Sequence, residues 1–252
     1  MDLFGTAYIF GGDYLGRSDT LIAKLHEFNT EWWGENVGIV DLDQLSKIDD
    51  VQAKSELSKF QWVEARTSES DSVDLERLRS LGFFQVDTQV HFRIRLSPIE
   101  TTLSLSGLEV QFADEQPFNI VYDDILDFSA DRFAKLPGCT AEKSKRRYAL
   151  WSENLIKSQP EHALCILRDG QIQGYYLSQK TESGFQLTLA MLSADSQITG
   201  MHLYHRALLA YKERGVRIGG ASFSVNNLPV LNIYANLGAR FISTERFWFR
   251  MS

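Results

Sequence analysis

Two loops of this chain carry residue types and spacings that suit chemistry. Residues 194–200 (ADSQITG) are small and polar and lie between an apolar run and an amphipathic one. A helix that starts there offers unpartnered backbone N–H groups, and its dipole favours negative charge, so the loop reads as an anion site. Gly200 suits that use because no Cβ keeps the backbone away from a ligand. Residues 226–238 (NNLPVLNIYANLG) begin with Asn227, which can cap a helix or hydrogen-bond a ligand, and hold the phenol of Tyr234. His202 and His205 lie about one helical turn apart, but no third ligand stands at useful spacing, so no metal is assigned. Gly11, Gly12 and Gly16 lack a following lysine and a preceding strand, and they read as a turn rather than a phosphate loop.

Composition narrows the field. The 252 residues are 44% hydrophobic and 23% charged, ordinary values for a globular chain, which excludes disorder as the main state. The net charge of −7 and the lack of a basic stripe argue against nucleic acid as partner. Lys143, Lys145, Arg146 and Arg147 form one short basic cluster, read as a solvated helix face. No apolar run approaches the roughly 18 residues of a membrane span, and residues 1–5 lack the opening of a secretory signal. A soluble, cytoplasmic protein without membrane insertion is expected. Cys139 and Cys165, the only cysteines, have no C-x-x-C spacing and no convincing base; Cys165 reads as core packing.

The elements that must position these residues follow from periodicity. Residues 21–28 have helical spacing after Asp19, residues 36–42 read as a strand, 44–59 as looser helix and 60–66 as a strand. A brief helix over 73–81 is closed by Gly82 at the left-handed cap position. Val86, Val90, Phe92, Ile94 and Leu96 alternate with polar residues over 85–96, the clearest strand in the chain. The polar stretch around 97–106 is taken as a junction, which divides the chain into an N-terminal α/β domain, residues 1–97, and a second domain, residues 106–252. In the second, residues 108–112 are a strand, 117–128 a mixed loop and helix, and 141–157 a helix capped by Thr140 with Tyr148, Trp151 and Leu155 on one face. Asp169-Gly170 marks a hairpin between residues 162–168 and 171–179, because both accept the positive φ of a type I′ turn. A third strand, 185–193, is followed by helix 200–214, strand 216–225, helix 227–236 and strand 239–251. This order predicts a mixed α/β sheet flanked by helices.

Three stretches carry a resemblance. Gln197-Ile198-Thr199-Gly200-Met201-His202 resembles the pyrophosphate loop of the GNAT acyltransferase superfamily, in which a Gln or Arg is followed by Gly three residues later and by Gly or Ala two after that; His202 departs from the last position. The stretch from Asn226-Asn227-Leu228-Pro229 through Ile233-Tyr234 to Leu237-Gly238-Ala239 keeps the superfamily's spacing. Across most of the chain, Trp32-Trp33-Gly34, Leu81-Gly82-Phe83 with Val86-Asp87, Asp131-Arg132-Phe133, and Tyr148, Trp151, Glu153 and Asn154 are similar to one branch, the dTDP-fucosamine acetyltransferases of surface-polysaccharide synthesis.

That resemblance implies the GNAT fold, with an N-terminal half that could be a partial copy of it, and acetyl-CoA as acyl donor. It implies an N-acetyltransferase acting on the amine of a nucleotide-linked amino sugar, with Tyr234 protonating the departing thiolate. The donor would be held by Leu189, Met191 and Leu192 on the strand, by Gln197, Ile198, Thr199, Gly200, Met201 and His202 in the loop, and by Asn227. Trp33, Arg132, Trp151 and Asn154 are the candidates for the acceptor pocket. Two rivals stand beside this reading: a catalytically inactive GNAT-fold binding or regulatory module, and an enzyme acting on another small amine. A homodimer is left open, and no residue is named as the base.

Overall fold

The computed structural model describes residues 21–68, 74–120, 131–182 and 184–252. The turn expected at Gly11–Gly16, the cap expected at Asp19 and residues 121–130 lie outside them. The chain divides into two compact units, Met1–Val86 with Arg246–Ser252, and Asp87–Glu245. The junction expected at 97–106 lies within the second unit; the division falls at 86/87, and residues 246–252 return to the first unit.

The first unit comprises β1 (Ala23–Leu25), α1 (Glu27–Trp33), β2 (Val37–Val40), α2 (Leu42–Leu45), α3 (Asp50–Leu57), β3 (Trp62–Ser68) and α4 (Leu75–Ser80). Aspartates open three of its helices: the carboxylates of Asp41, Asp49 and Asp74 accept from the N–H groups of Gln44, Gln52 and Arg77. The helix expected over 21–28 is absent. Residues 23–25 instead pair antiparallel with β2, Ala23 opposite Val40, and His26 caps α1. Pairing to a distant strand overrides local spacing here: Ile22 and Ala23 are buried, while Leu21 and Leu25 face solvent. Gly82 follows α4 with φ +89°, as expected for a helix stop.

The second unit contains most of β4 (Phe84–Arg95), β5 (Glu109–Phe112), α5 (Ala141–Ser158), β6 (Ala163–Arg168), β7 (Gln171–Thr181), β8 (Gly184–Leu192), α6 (Gly200–Glu213), β9 (Ile218–Ser224), α7 (Leu228–Asn236) and the first half of β10 (Arg240–Met251). Its strands lie in the order β10-β4-β9-β8-β7-β6-β5. β4 pairs antiparallel with β9, as do β5 with β6, β6 with β7 and β7 with β8, while β8 and β9 run parallel. Asp169 (φ +51°) and Gly170 (φ +75°) make the expected hairpin turn.

Alternation along the strands sends side chains to two cores. Phe92, Tyr176, Leu187, Leu203, Leu208, Tyr211 and Tyr234 pack together on the α6 and α7 face. Tyr148, Leu155, Cys165, Tyr175, Leu177, Leu189 and Met191 pack on the α5 face. The mixed sheet with helices on its faces is the architecture expected from the element order. Among the described residues no helix is long and apolar enough to cross a membrane.

Candidate active site

The parallel pair β8–β9 is the feature around which the site is built. Its register pairs are Phe185 with Gly219 and Gln186 with Gly220. Beyond them β8 continues beside β7, Ala190 opposite Tyr176 and Leu192 opposite Gly174, while β9 continues beside β4, Phe223 opposite Val90. No further register pair joins β8 to β9 among the described residues. The polar backbone groups of residues 187–192 that face β9 therefore lie outside a ladder with it, and such groups call for a partner. Leu189 and Met191 point to the α5 core, and Leu192 is half-buried against the other.

Tyr234 spans this opening. Its ring stacks on Phe223 of β9 at 5.8 Å and 17° and lies 4.0 Å from the ring of Phe92, and its hydroxyl is 2.5 Å from that of Tyr176 on β7. β8 lies between those two strands, so the phenol crosses it beside Ala190, in the stretch where β8 has left β9. Tyr234 is only 3% exposed. Burial, then the neighbouring Tyr204 phenol, push its pKa well above 10, with the Tyr176 hydrogen bond acting the other way. The hydroxyl is therefore protonated across the physiological range.

The loop before α6 is tied down on both sides. Gln173, itself buried, accepts the N–H of Gln197 at 2.7 Å, and the N–H of Ile198 reaches the Ser196 hydroxyl at 3.3 Å. The N–H of Thr199 donates to Nδ1 of His202 at 3.3 Å, and the Thr199 hydroxyl lies 2.9 Å from the same nitrogen. Three of the backbone donors of the expected anion loop thus have partners within the protein. Gly200 opens α6, where an added Cβ would stand 3.1 Å from Ile233. Met201 is half-buried in the first turn of that helix. Asn227 caps α7, accepting from the N–H of Val230 at 3.3 Å, and is exposed. His205 donates from Nε2 to the carbonyl of Glu100 at 2.7 Å.

The opposite face of β4 and β9 holds a polar row that the sequence reading missed. Asp87, Gln89 and His91 alternate with Val90 and Phe92, and Ser222 and Ser224 alternate with Ala221 and Phe223, so the row faces away from Tyr234. The Ser224 hydroxyl donates to Asp87 at 2.6 Å, the Ser222 hydroxyl donates to Gln89 at 2.8 Å, and Nε2 of His91 lies 3.8 Å from the Glu245 carboxylate. Ser222 and Ser224 sit on β9 beyond the end of its pairing with β8. The alternation over residues 85–96 was the available signal: polar residues on a strand whose other face is core mark a second surface.

The acceptor candidates are distributed. Trp33 belongs to the first unit and packs with Trp32 and Trp62, its ring 5.4 Å and 5.9 Å from theirs. Arg132, Trp151 and Asn154 belong to the second. The Arg132 guanidinium lies 4.5 Å over the Phe133 ring, Trp151 is half-buried against Tyr148, and Asn154 is exposed on α5. Arg147 is not a solvated helix-face residue. It is 3% exposed, 3.3 Å from Asp131 and stacked over Phe133, because the Asp131 carboxylate also accepts from the Tyr148 hydroxyl at 2.7 Å and draws both inward. Lys145 and Arg146 are exposed as expected. Cys165 is fully buried, and burial pushes its thiol up to about 11.

No family model matches the sequence. The chain is 25% identical over 196 residues to a dTDP-fucosamine acetyltransferase of Escherichia coli O6:H1, a match covering 77% of this chain and 84% of the relative. Among solved structures it superposes on a functionally unknown conserved protein from Staphylococcus epidermidis with a TM-score of 0.54 and 13% identity, covering 86% of this chain and 85% of that one. It superposes equally on the GCN5-related glucosamine N-acetyltransferase region of a fungal multi-domain β-N-acetylglucosaminidase, with a TM-score of 0.53 and 9% identity, over 85% of this chain and 30% of that one. The chain thus has the fold of a GCN5-related N-acetyltransferase region, and its sequence is similar to one acetyltransferase over most of its length.

Proposed function

We propose that the protein is an acyl-CoA-dependent N-acyltransferase that transfers an acetyl group to the amine of a nucleotide-linked amino sugar in surface-polysaccharide synthesis. The observation that carries this reading is the end of the β8–β9 pairing at Gln186 and Gly220, with a protonated phenol lying across the opening. An extended pantetheine arm fits there as a substitute strand, taking backbone hydrogen bonds from residues 188–192, one of whose N–H groups would polarise the thioester carbonyl. The diphosphate would meet the first turn of α6, and Asn227 the amide-bearing arm. The amine attacks from the other face of the sheet, where Asp87 attracts an ammonium group and takes its proton directly or through water. Its lone pair forms the new C–N bond, the C–S bond breaks, and the sulfur takes the Tyr234 proton. Acetyl-CoA as donor and the amino sugar as acceptor follow the E. coli relative; Arg132, with Trp33, Trp151 and Asn154, is assigned to the acceptor and its phosphates. The protein is expected to act in the cytoplasm.

One observation favours a second reading, a GNAT-fold binding or regulatory module. The N–H groups of Gln197, Ile198 and Thr199 are already held by Gln173, Ser196 and His202. Isothermal titration with acetyl-CoA, CoA and a longer acyl-CoA separates the two. Micromolar binding of acetyl-CoA, about −8 kcal/mol, followed by acetylation of dTDP-4-amino-4,6-dideoxygalactose, is the expected result. Absence of binding for every thioester would favour the module.

A further inference from the structure

We propose that Tyr176 is a positioning residue for acyl transfer, whose hydroxyl donates to the Tyr234 oxygen and so leaves the Tyr234 proton free to move to the departing sulfur. This rests on the acyltransferase reading above. The two oxygens are 2.5 Å apart and both side chains are nearly fully buried: Tyr176 is 1% exposed and Tyr234 3%. A pair of phenols sharing one hydrogen bond has two arrangements. If Tyr234 donates to Tyr176, its only proton is engaged and it cannot serve as acid. If Tyr176 donates, the Tyr234 proton points elsewhere, and when it leaves, the oxyanion that remains is met by a donor already in place. A buried tyrosinate without such a donor carries the full cost of lost hydration.

The surrounding packing fixes Tyr176 for this role. Its backbone carbonyl accepts from the Tyr211 hydroxyl at 3.0 Å, which in turn reaches the carbonyl of His162 at 2.7 Å. Its ring meets those of Tyr204 and Tyr211 edge to face, at 5.3 Å and 5.9 Å. Strand pairing opposite Ala190 holds it beside the stretch of β8 that has left β9. The balance of the step is unchanged: the proton passes from Tyr234 to sulfur, the nitrogen loses one to Asp87 or water, and solvent restores the phenol.

The test is a double-mutant cycle of Tyr176→Phe and Tyr234→Phe, read as CoA thiol release with acetyl-CoA and dTDP-4-amino-4,6-dideoxygalactose, and again with water as the nucleophile. Tyr176→Phe is expected to lower kcat by roughly 10- to 100-fold, with the KM for acetyl-CoA within about twofold, and to have no further effect in the Tyr234→Phe background. A structural role would lower kcat by the same factor in both backgrounds. If Tyr234→Phe lowers kcat and Tyr176→Phe does not, the role of Tyr176 is overturned alone; if neither does, the assignment of Tyr234 fails as well. Should Tyr176→Phe not fold, Tyr176→His, which keeps a ring N–H donor, is compared with Tyr176→Leu, and equal kcat values overturn the proposal.

Discussion

His202 turns its ring back onto the residue that precedes α6: its Nδ1 accepts the Thr199 N–H at 3.3 Å and lies 2.9 Å from the Thr199 hydroxyl. This side chain thus engages the N-terminus of α6, where the proposed donor's diphosphate would sit. His202→Ala frees that N–H and the space above it. Affinity for CoA is expected to rise roughly three- to tenfold, about the free energy of one hydrogen bond. Isothermal titration of both proteins at one ionic strength checks this, and weaker binding by the variant would assign the imidazole to the ligand instead.

Gly174 lets β7 and β8 approach closely opposite Leu192. A Cβ added there would stand 2.6 Å from the carbonyl oxygen of Met191 and 3.3 Å from Leu203. Because the first of these is backbone, β8 must shift in the stretch assigned to the donor. Gly174→Ala is expected to cost about 1–3 kcal/mol of stability and to weaken acetyl-CoA binding together with it. Denaturant unfolding and donor titration on the same sample measure both, and a variant with wild-type values of each would mean that β8 moves without consequence.

Burial holds the phenols of Tyr176, Tyr211 and Tyr234 protonated above pH 10. Their folded pKa exceeds the unfolded value of about 10, so the stabilisation is fully present below pH 10 and is lost as pH rises toward the folded values. Above pH 10 the unfolded chain binds fewer protons than the folded one, and each phenol contributes a fall of up to roughly 1.4 kcal/mol per pH unit. Thermal unfolding between pH 8 and 11 should show a steep loss of stability beginning near pH 10, smaller in Tyr211→Phe after correction for that variant's lower baseline. An unchanged Tm to pH 11 would place these phenols in contact with water.

Asp87 accepts from Ser224 at 2.6 Å on the face of the sheet turned away from Tyr234. If it receives the acceptor amine, Asp87→Asn keeps the hydrogen bond with Ser224 while removing the charge. kcat/KM for the amine substrate is expected to fall roughly 10²-fold, with donor affinity unchanged. An unchanged kcat/KM in the variant would move the proton acceptor elsewhere, to His91 or bulk water.

Much of the second unit is legible from local chemistry. The Asp169-Gly170 hairpin needs only two residues that tolerate positive φ, Thr140 and Asn227 cap the helices that follow them, and Gly200 opens α6. What local spacing cannot reveal is which distant strand a segment meets. β1 has the apolar spacing of a helix and becomes a strand because β2 offers it a ladder. Asp87 finds Ser224 137 residues away, and Tyr176 finds Tyr234 58 residues away. Tyr176 itself, apolar in its surroundings and on a core strand, carries no local mark of function. Arg147 read as solvated because its charge stands among other charges, whereas Asp131, outside the helix, draws it into the core.

The central claim is that Tyr234 supplies the proton to a thiolate leaving across the β8–β9 opening. The most direct measurement is the rate of CoA release at saturating acetyl-CoA and dTDP-4-amino-4,6-dideoxygalactose, compared between the wild-type protein and Tyr234→Phe, with donor affinity measured in parallel. The account predicts turnover by the wild-type protein, a fall in kcat of roughly 10²-fold or more in the variant, and a Kd for acetyl-CoA within about twofold. Equal kcat values in the two proteins, with both folded and donor-bound, would contradict it.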